Sequence, residues 1–193
     1  MSDKRLLQDE INPAAPAGSG DSAVLLRAMH FFLRSQLGAN AMPFAPNINE
    51  LRKMLPVLEG YVKALLVCAS GDGDIAEPER EWILGFCANA GGTHELIEEL
   101  RTVDPRSLDV HALIQMTERP PLFKFALIYH AIQASDADGI LADDELARIR
   151  AVARVLGVDD DYVDELIEFY TEEKSFLARK WNLLFPQGHP WGD

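Results

Sequence analysis

Two stretches of the sequence, Ala64–Glu79 (ALLVCASGDGDIAEPE) and His130–Glu145 (HAIQASDADGILADDE), repeat one pattern at a shift of 66 residues, from 64 to 130. Each has an apolar run, an acidic connector with a central glycine, and the start of an amphipathic segment. Self-similarity at a fixed separation is typical of duplicated structural units. Residues that agree in both copies include the pairs 72/138, 73/139, 75/141, 76/142, 79/145, 83/149 and 91/157. We therefore predict two helical hairpins, at about residues 61–91 and 127–157, related by a pseudo-two-fold axis.

The rest of the chain predicts further helices. Apolar residues recur at spacings of three and four, and no segment alternates with a period of two over a convincing length. We predict helices after residue 22, around Pro56, after Thr93, after Ser107 and after Pro121, besides those of the hairpins. Another is expected over 159–170, with 172–185 closing the chain. The fold class is therefore all-α, a single bundle of about eight to nine helices.

Composition limits the classes of function. The chain has 193 residues, 48% of them hydrophobic, with 18 Lys and Arg against 31 Asp and Glu, so its formal net charge is −13. This size fits one domain, which we expect over 22–185, between a flexible leader at 1–21 and a tail at 186–193. Because an acidic surface repels phosphates, we expect no nucleic-acid partner. Because no stretch approaches about 18 uninterrupted apolar residues, we expect no membrane insertion. With two cysteines and no signal-peptide pattern, a cytoplasmic location is expected.

The duplicated pattern, an apolar helix followed by Asp-Gly-x-Ile/Leu-x-x-x-Glu and a second helix, resembles the TerB-like (tellurite-resistance TerB) family. The resemblance covers about residues 55–175. It implies a link to tellurite resistance and stress response, acidic clusters that bind metal, and no established enzymatic activity. The same domain occurs in membrane-anchored co-chaperones with a J-domain. The tripeptide in this chain that comes closest to the J-domain motif is His189-Pro190-Trp191, which lies in a tail too short for that domain.

The acidic connectors are the candidate metal site. An EF-hand loop has oxygen ligands at positions 1, 3 and 5, glycine at 6 and glutamate at 12. The second connector places Asp136 at 3, Asp138 at 5, Gly139 at 6 and Glu145 at 12, but Ala134 stands at position 1. Of the side-chain ligands, the first connector keeps only those at positions 5 and 12, Asp72 and Glu79. We predict at most a weak site for a divalent cation, calcium or magnesium, using Asp136, Asp138, Asp143, Glu145, Asp72 and Glu79.

A purely structural interpretation of the connectors stays open. Asp-Gly ends a helix well, because glycine adopts the left-handed conformation that closes the last turn. Glu77 and Asp143 would then cap the second helix of each hairpin, and Ile75 and Leu141 would fill the gap between helices. On this view the chain is a helical scaffold for protein interaction.

Other chemistry-bearing residues give weaker signals. The run 159–173 contains eight acidic residues and no Lys or Arg, which indicates either a solvated face or a docking surface for a basic protein partner. Cys68 and Cys87 fall on apolar faces and are expected to be buried thiols, and His130 is expected in the core. No Walker loop, nucleophile elbow or zinc spacing occurs, so we expect no enzyme, and an enzyme without a recognisable motif is the least favoured alternative. The oligomeric state is left open.

Overall fold

The computed structural model describes residues 28, 30–32, 34, 35, 48–71, 73–109 and 120–188. Six α-helices and one short 3-10 helix have defined bounds in these residues, and residues 28, 30–32, 34 and 35 are helical as well. The α-helices are α1 (Ile48–Ala69), α2 (Glu77–Asn89), α3 (His94–Thr102), α4 (Pro120–Ser135), α5 (Asp143–Val155) and α6 (Asp160–Leu184), and the 3-10 helix is Pro105–Ser107.

The described residues form helices and connectors without a strand, so the all-α prediction is confirmed. Within the described residues, seven helices have defined bounds, slightly fewer than the eight or nine predicted, and residues 159–170 and 172–185 form the single helix α6. The predicted leader, Asp72, the segment with Val110, Leu113 and Ile114, and the last five residues of the tail lie outside the described residues.

The two repeats form the same hairpin. In the first, α1 ends at Ala69 and α2 spans Glu77–Asn89; 66 residues later, α4 ends at Ser135 and α5 spans Asp143–Val155. Both closing turns have the same hydrogen bonds, since Gly92 N–H donates to Cys87 O and Val158 N–H donates to Ala153 O, each at 2.8 Å. This bonding satisfies the last carbonyls of a helix. The duplication therefore extends to individual backbone hydrogen bonds.

The core lies between α1 and α4, the first helices of the two hairpins, which pack against each other. Equivalent positions of the repeats are buried in pairs, as Val62 with Ile128 and Ile83 with Ile149, all fully inaccessible to solvent. Helices α2 and α5 cover this central pair, α3 packs on α2, and α6 packs on α4 and α5. The two connectors consequently lie at the same end of the bundle.

Two local predictions are wrong. The helix expected to start around Pro56 begins at Ile48, with Pro56 inside it; the ring lies on the exposed side, where solvent can bond the carbonyl that loses its donor. In the structural interpretation, Glu77 and Asp143 were to cap α2 and α5, but both lie within these helices. The N-cap residues are Ala76 and Ala142, which have no side-chain cap, and the glutamates three positions later accept their N–H groups. Thr93 caps α3, since its side chain accepts the Leu96 N–H, and Gly157 follows α5 with a φ angle of 66°.

Candidate functional site: a pair of glutamates between the connectors

Glu79 and Glu145 occupy the third position of α2 and α5. The Ala76 N–H donates to Glu79 Oε2 at 2.8 Å, and the Ala142 N–H donates to Glu145 Oε2 at 2.9 Å. Each glutamate thereby satisfies one of the backbone donors that the start of a helix leaves without a partner. This is the glutamate half of a capping box; the other half is missing, because alanine at the N-cap has no side-chain oxygen to accept the N–H of the third helical residue.

The pseudo-two-fold arrangement brings these two carboxyl groups together. Glu79 is 2% exposed although it is acidic, and its carboxyl group is in hydrogen-bonding contact with that of Glu145. Two carboxylate oxygens cannot bond to each other without a proton between them. Burial, the Glu145 contact and the nearby Asp138 charge raise the pKa of Glu79 to about 8. Glu79 therefore keeps its proton near neutral pH and shares it with Glu145 in a hydrogen bond.

Further contacts between the repeats surround the pair. Arg148 of α5 donates to Gly71 O of the first connector, from Nε at 3.2 Å and from Nη2 at 3.0 Å. A side chain on Gly71 would meet Asp144 and Glu145, with the Asp144 Oδ2 atom 2.8 Å from the added carbon. The first connector is thus held against the start of α5, which keeps Glu79 and Glu145 in contact.

The remaining predicted ligands in the described chain are distributed around this pair. Asp138 Oδ1 accepts the Ile140 N–H at 2.8 Å, which closes the second connector as an Asx turn. Asp143 is exposed in the first turn of α5. Among the described residues, no three His, Cys, Asp or Glu side chains are arranged to hold a metal ion. The six-residue ligand set therefore stays a prediction.

Asp136 has partners outside the connectors. Its Oδ2 atom accepts the Tyr170 hydroxyl at 2.8 Å and pairs with the Lys174 ammonium group, both on α6. Beside it, the Tyr129 hydroxyl and the Gln133 amide donate to Glu173 Oε2 at 2.5 Å and 3.2 Å. These bonds hold α6 against α4. Asp136, which the sequence predicts at EF-hand position 3, therefore also anchors α6.

The buried thiols and His130 lie apart from the acidic pair. Burial raises the pKa of Cys68 to about 12 and that of Cys87 to about 11, so both thiols are protonated at neutral pH. His130 lies among aromatic rings, with Nδ1 2.7 Å from the Tyr61 hydroxyl, and burial lowers its pKa to about 4. Cys68 and Cys87 are fully buried in the core and His130 is half-buried against it, in agreement with the sequence analysis.

The sequence did not predict the contact between Glu79 and Glu145, although it identified both residues. The available signal was a glutamate three residues after an alanine N-cap in both repeats. A pseudo-two-fold axis near the connectors brings such equivalent residues face to face.

Comparisons with known proteins agree with the family resemblance that the sequence indicates. No protein-family model and no curated protein matches the sequence. Among solved structures, a tellurite resistance protein from Nostoc punctiforme matches with a TM-score of 0.71 and 29% sequence identity, over 86% of this chain and 98% of that chain. None of the described helices combines the length and apolar character needed to cross a membrane. The resemblance to the TerB-like family that the sequence indicates is therefore confirmed, and the chain shares the fold of a tellurite resistance protein.

Proposed function

We propose that this chain is a non-enzymatic TerB-like protein of the tellurite and metal stress response, in which the two connectors form one site responsive to divalent cations. The observation that carries the proposal is the contact between the Glu79 and Glu145 carboxyl groups. Glu79 is buried beside the half-buried Glu145, and each is held by a backbone N–H, so charging Glu79 costs free energy. The two carboxyl groups therefore form a site that favours the binding of a positive charge, either a proton or a metal ion.

The chain's own residues define the chemistry at this place. Glu79 and Glu145 would supply carboxylate oxygens, Asp138 lies close enough to influence the charge of Glu79, and a hard cation such as calcium or magnesium would bind in competition with the shared proton. Three carboxylates leave several coordination positions to water. The expected affinity is weak, with a dissociation constant of about 10⁻⁴–10⁻³ M.

Calorimetric titration at several pH values tests the proposal. We expect calcium or magnesium to bind more tightly as the pH rises through about 8, the pKa of Glu79. At higher pH fewer Glu79 carboxyl groups carry a proton that the cation must displace. Binding should release protons, so the measured heat should depend on the ionisation enthalpy of the buffer. Glu79→Gln keeps a carbonyl oxygen for the Ala76 N–H and should abolish the binding. Glu77→Gln removes the same charge from an exposed position of the same helix and should retain it.

Titration without heat and without a thermal shift, for calcium, magnesium, manganese and zinc at every pH, would contradict the cation site. The helical scaffold would then be the better description. Its docking surface would be the acidic face of α6, where Asp161, Glu165, Glu168 and Glu172 are exposed. That face would favour a basic protein partner.

A further inference from the structure

Helix α6 carries an exposed apolar stripe, whose first half borders α4: the ring centroid of Tyr162 lies 4.6 Å from that of Phe125, and that of Phe169 lies 5.8 Å from that of Tyr129. Tyr162, Phe169, Phe176 and Leu183 are separated by seven residues each, which is close to two helical turns, so they lie on one face. Their exposed fractions are 40%, 56%, 65% and 72%. Val163, on a neighbouring face of the helix, is fully buried in the core. Four large apolar side chains in one exposed row indicate an interaction surface rather than scattered surface residues.

The charged residues of α6 have opposite signs in its two halves. From Asp159 to Glu173 there are eight acidic and no basic residues, whereas Lys174, Arg179 and Lys180 are the charged residues from 174 to 185. The long helix is thus negative at its start and positive towards its end. Some of these charges already have partners: Asp160 and Asp164 pair with Arg150, and Lys174 pairs with Asp136. Glu165 and Lys180 are exposed at opposite ends of the stripe.

We propose that the stripe of Tyr162, Phe169, Phe176 and Leu183 is a two-fold interface, on which α6 of a second copy of this chain packs antiparallel. A two-fold contact requires a surface that is complementary to itself. Antiparallel packing about a point between residues 172 and 173 places Phe169 against Phe176 of the partner subunit and Tyr162 against Leu183 of the partner subunit. It also places Glu165 against Lys180 of the partner subunit, twice by symmetry.

The charge distribution selects this arrangement over others. A parallel pair would set each acidic half against the same acidic half, which is repulsive. An unrelated basic partner would match the first half of α6 and be repelled by the second. The net charge of −13 on each copy opposes association at low salt, but about 0.15 M salt screens charges beyond roughly 8 Å and leaves the close pairs effective.

Sedimentation analysis of the full chain over a wide range of concentration is the first test. We expect a reversible dimer at physiological salt, and we expect Phe169→Glu or Phe176→Glu to raise its dissociation constant about tenfold or more, since both residues lie at the centre of the interface. Circular dichroism should show unchanged helix content, because both side chains are largely exposed. Phe31→Glu is the matched control, since Phe31 is 75% exposed outside the stripe, and it should leave the dimer unchanged.

Two further experiments test the antiparallel orientation. Glu165→Lys or Lys180→Glu alone should weaken the dimer, and the double reversal should restore it. Spin labels on cysteines introduced at Ser175 and at Asn182 should differ strongly in distance, with separations along the helix of about 8 Å and about 28 Å at 1.5 Å per residue. The native thiols are buried and should not take up label. In a parallel pair the two distances would be equal.

A monomer at all concentrations would overturn the proposal, and so would a dimer that the Phe169 and Phe176 variants leave intact. A chain that dimerises only after removal of residues 1–21 would show that its own leader covers the stripe, which also contradicts a second copy as the natural occupant. Equal label distances would overturn the antiparallel arrangement.

Discussion

Gly73 and Gly139 occupy equivalent positions in the two connectors, with φ angles of 118° and 93°. Only glycine adopts such angles without strain. Gly139→Ala should lower the free energy of unfolding by about 1 kcal/mol. Gly73→Ala should cost more, because the added carbon would lie 2.8 Å from Arg106 Cδ. Gly85→Ala, in the exposed part of α2 with no atom near the added carbon, should instead stabilise the protein. Urea unfolding measures all three, and equal effects would contradict the assignment.

Glu79 gives stability a characteristic dependence on pH. Its pKa in the folded chain, about 8, is above the ordinary value of 4.5, so the contribution is fully present below pH 4.5 and is lost as the pH rises through 8. Glu79→Gln imitates the protonated group and should remove this slope, so the variant should exceed the natural protein in stability above pH 8. Glu77→Gln should keep the slope. Urea unfolding across this pH range decides, and parallel curves for all three proteins would refute the shared proton.

At the scale of elements, α6 depends on hydrogen bonds from side chains that the sequence separates widely. Asp136 is almost inaccessible, with an 8% exposed side chain, and accepts the Tyr170 hydroxyl. Tyr170→Phe should therefore lower the free energy of unfolding by about 1 kcal/mol. Tyr162→Phe, on the exposed side of the same helix, should have no effect. Thermal and urea unfolding compare them, and equal stabilities would mean that the Asp136 contact contributes nothing.

Some features of the helices can be predicted from the sequence and others cannot. The C-terminal ends of α1, α2, α4 and α5 follow from glycines and apolar spacing, which are local signals that occur twice, whereas the start of α1 and the N-caps of α2 and α5 were not predicted correctly. The continuity of α6 was not predicted, since its acidic first half and basic second half look like two segments. The partners of Asp136 lie 34 and 38 residues away, so its anchoring of α6 depends on tertiary packing that local patterns do not encode.

At the scale of the whole molecule, the two hairpins share one core and several contacts between equivalent elements. Tyr61 bonds to His130, Arg148 bonds to Gly71, and α1 packs along α4. We expect a single cooperative unfolding transition. Native-state hydrogen exchange should give the same opening free energy for the central amides of α1 and α4. A clearly lower value in one helix would show that the hairpins open independently.

The burial of Cys68 and Cys87 turns the native chain into a reporter of its own opening. Both side chains are fully inaccessible, and thiolate is the form that reacts with alkylating and oxidising agents. Modification therefore has to wait until α1 or α2 separates from the core. The rate at which the two thiols are alkylated would therefore report the opening of the bundle, and no label would have to be introduced. In a cell under oxidative stress, the same feature would direct thiol damage to unfolded copies and spare the folded ones.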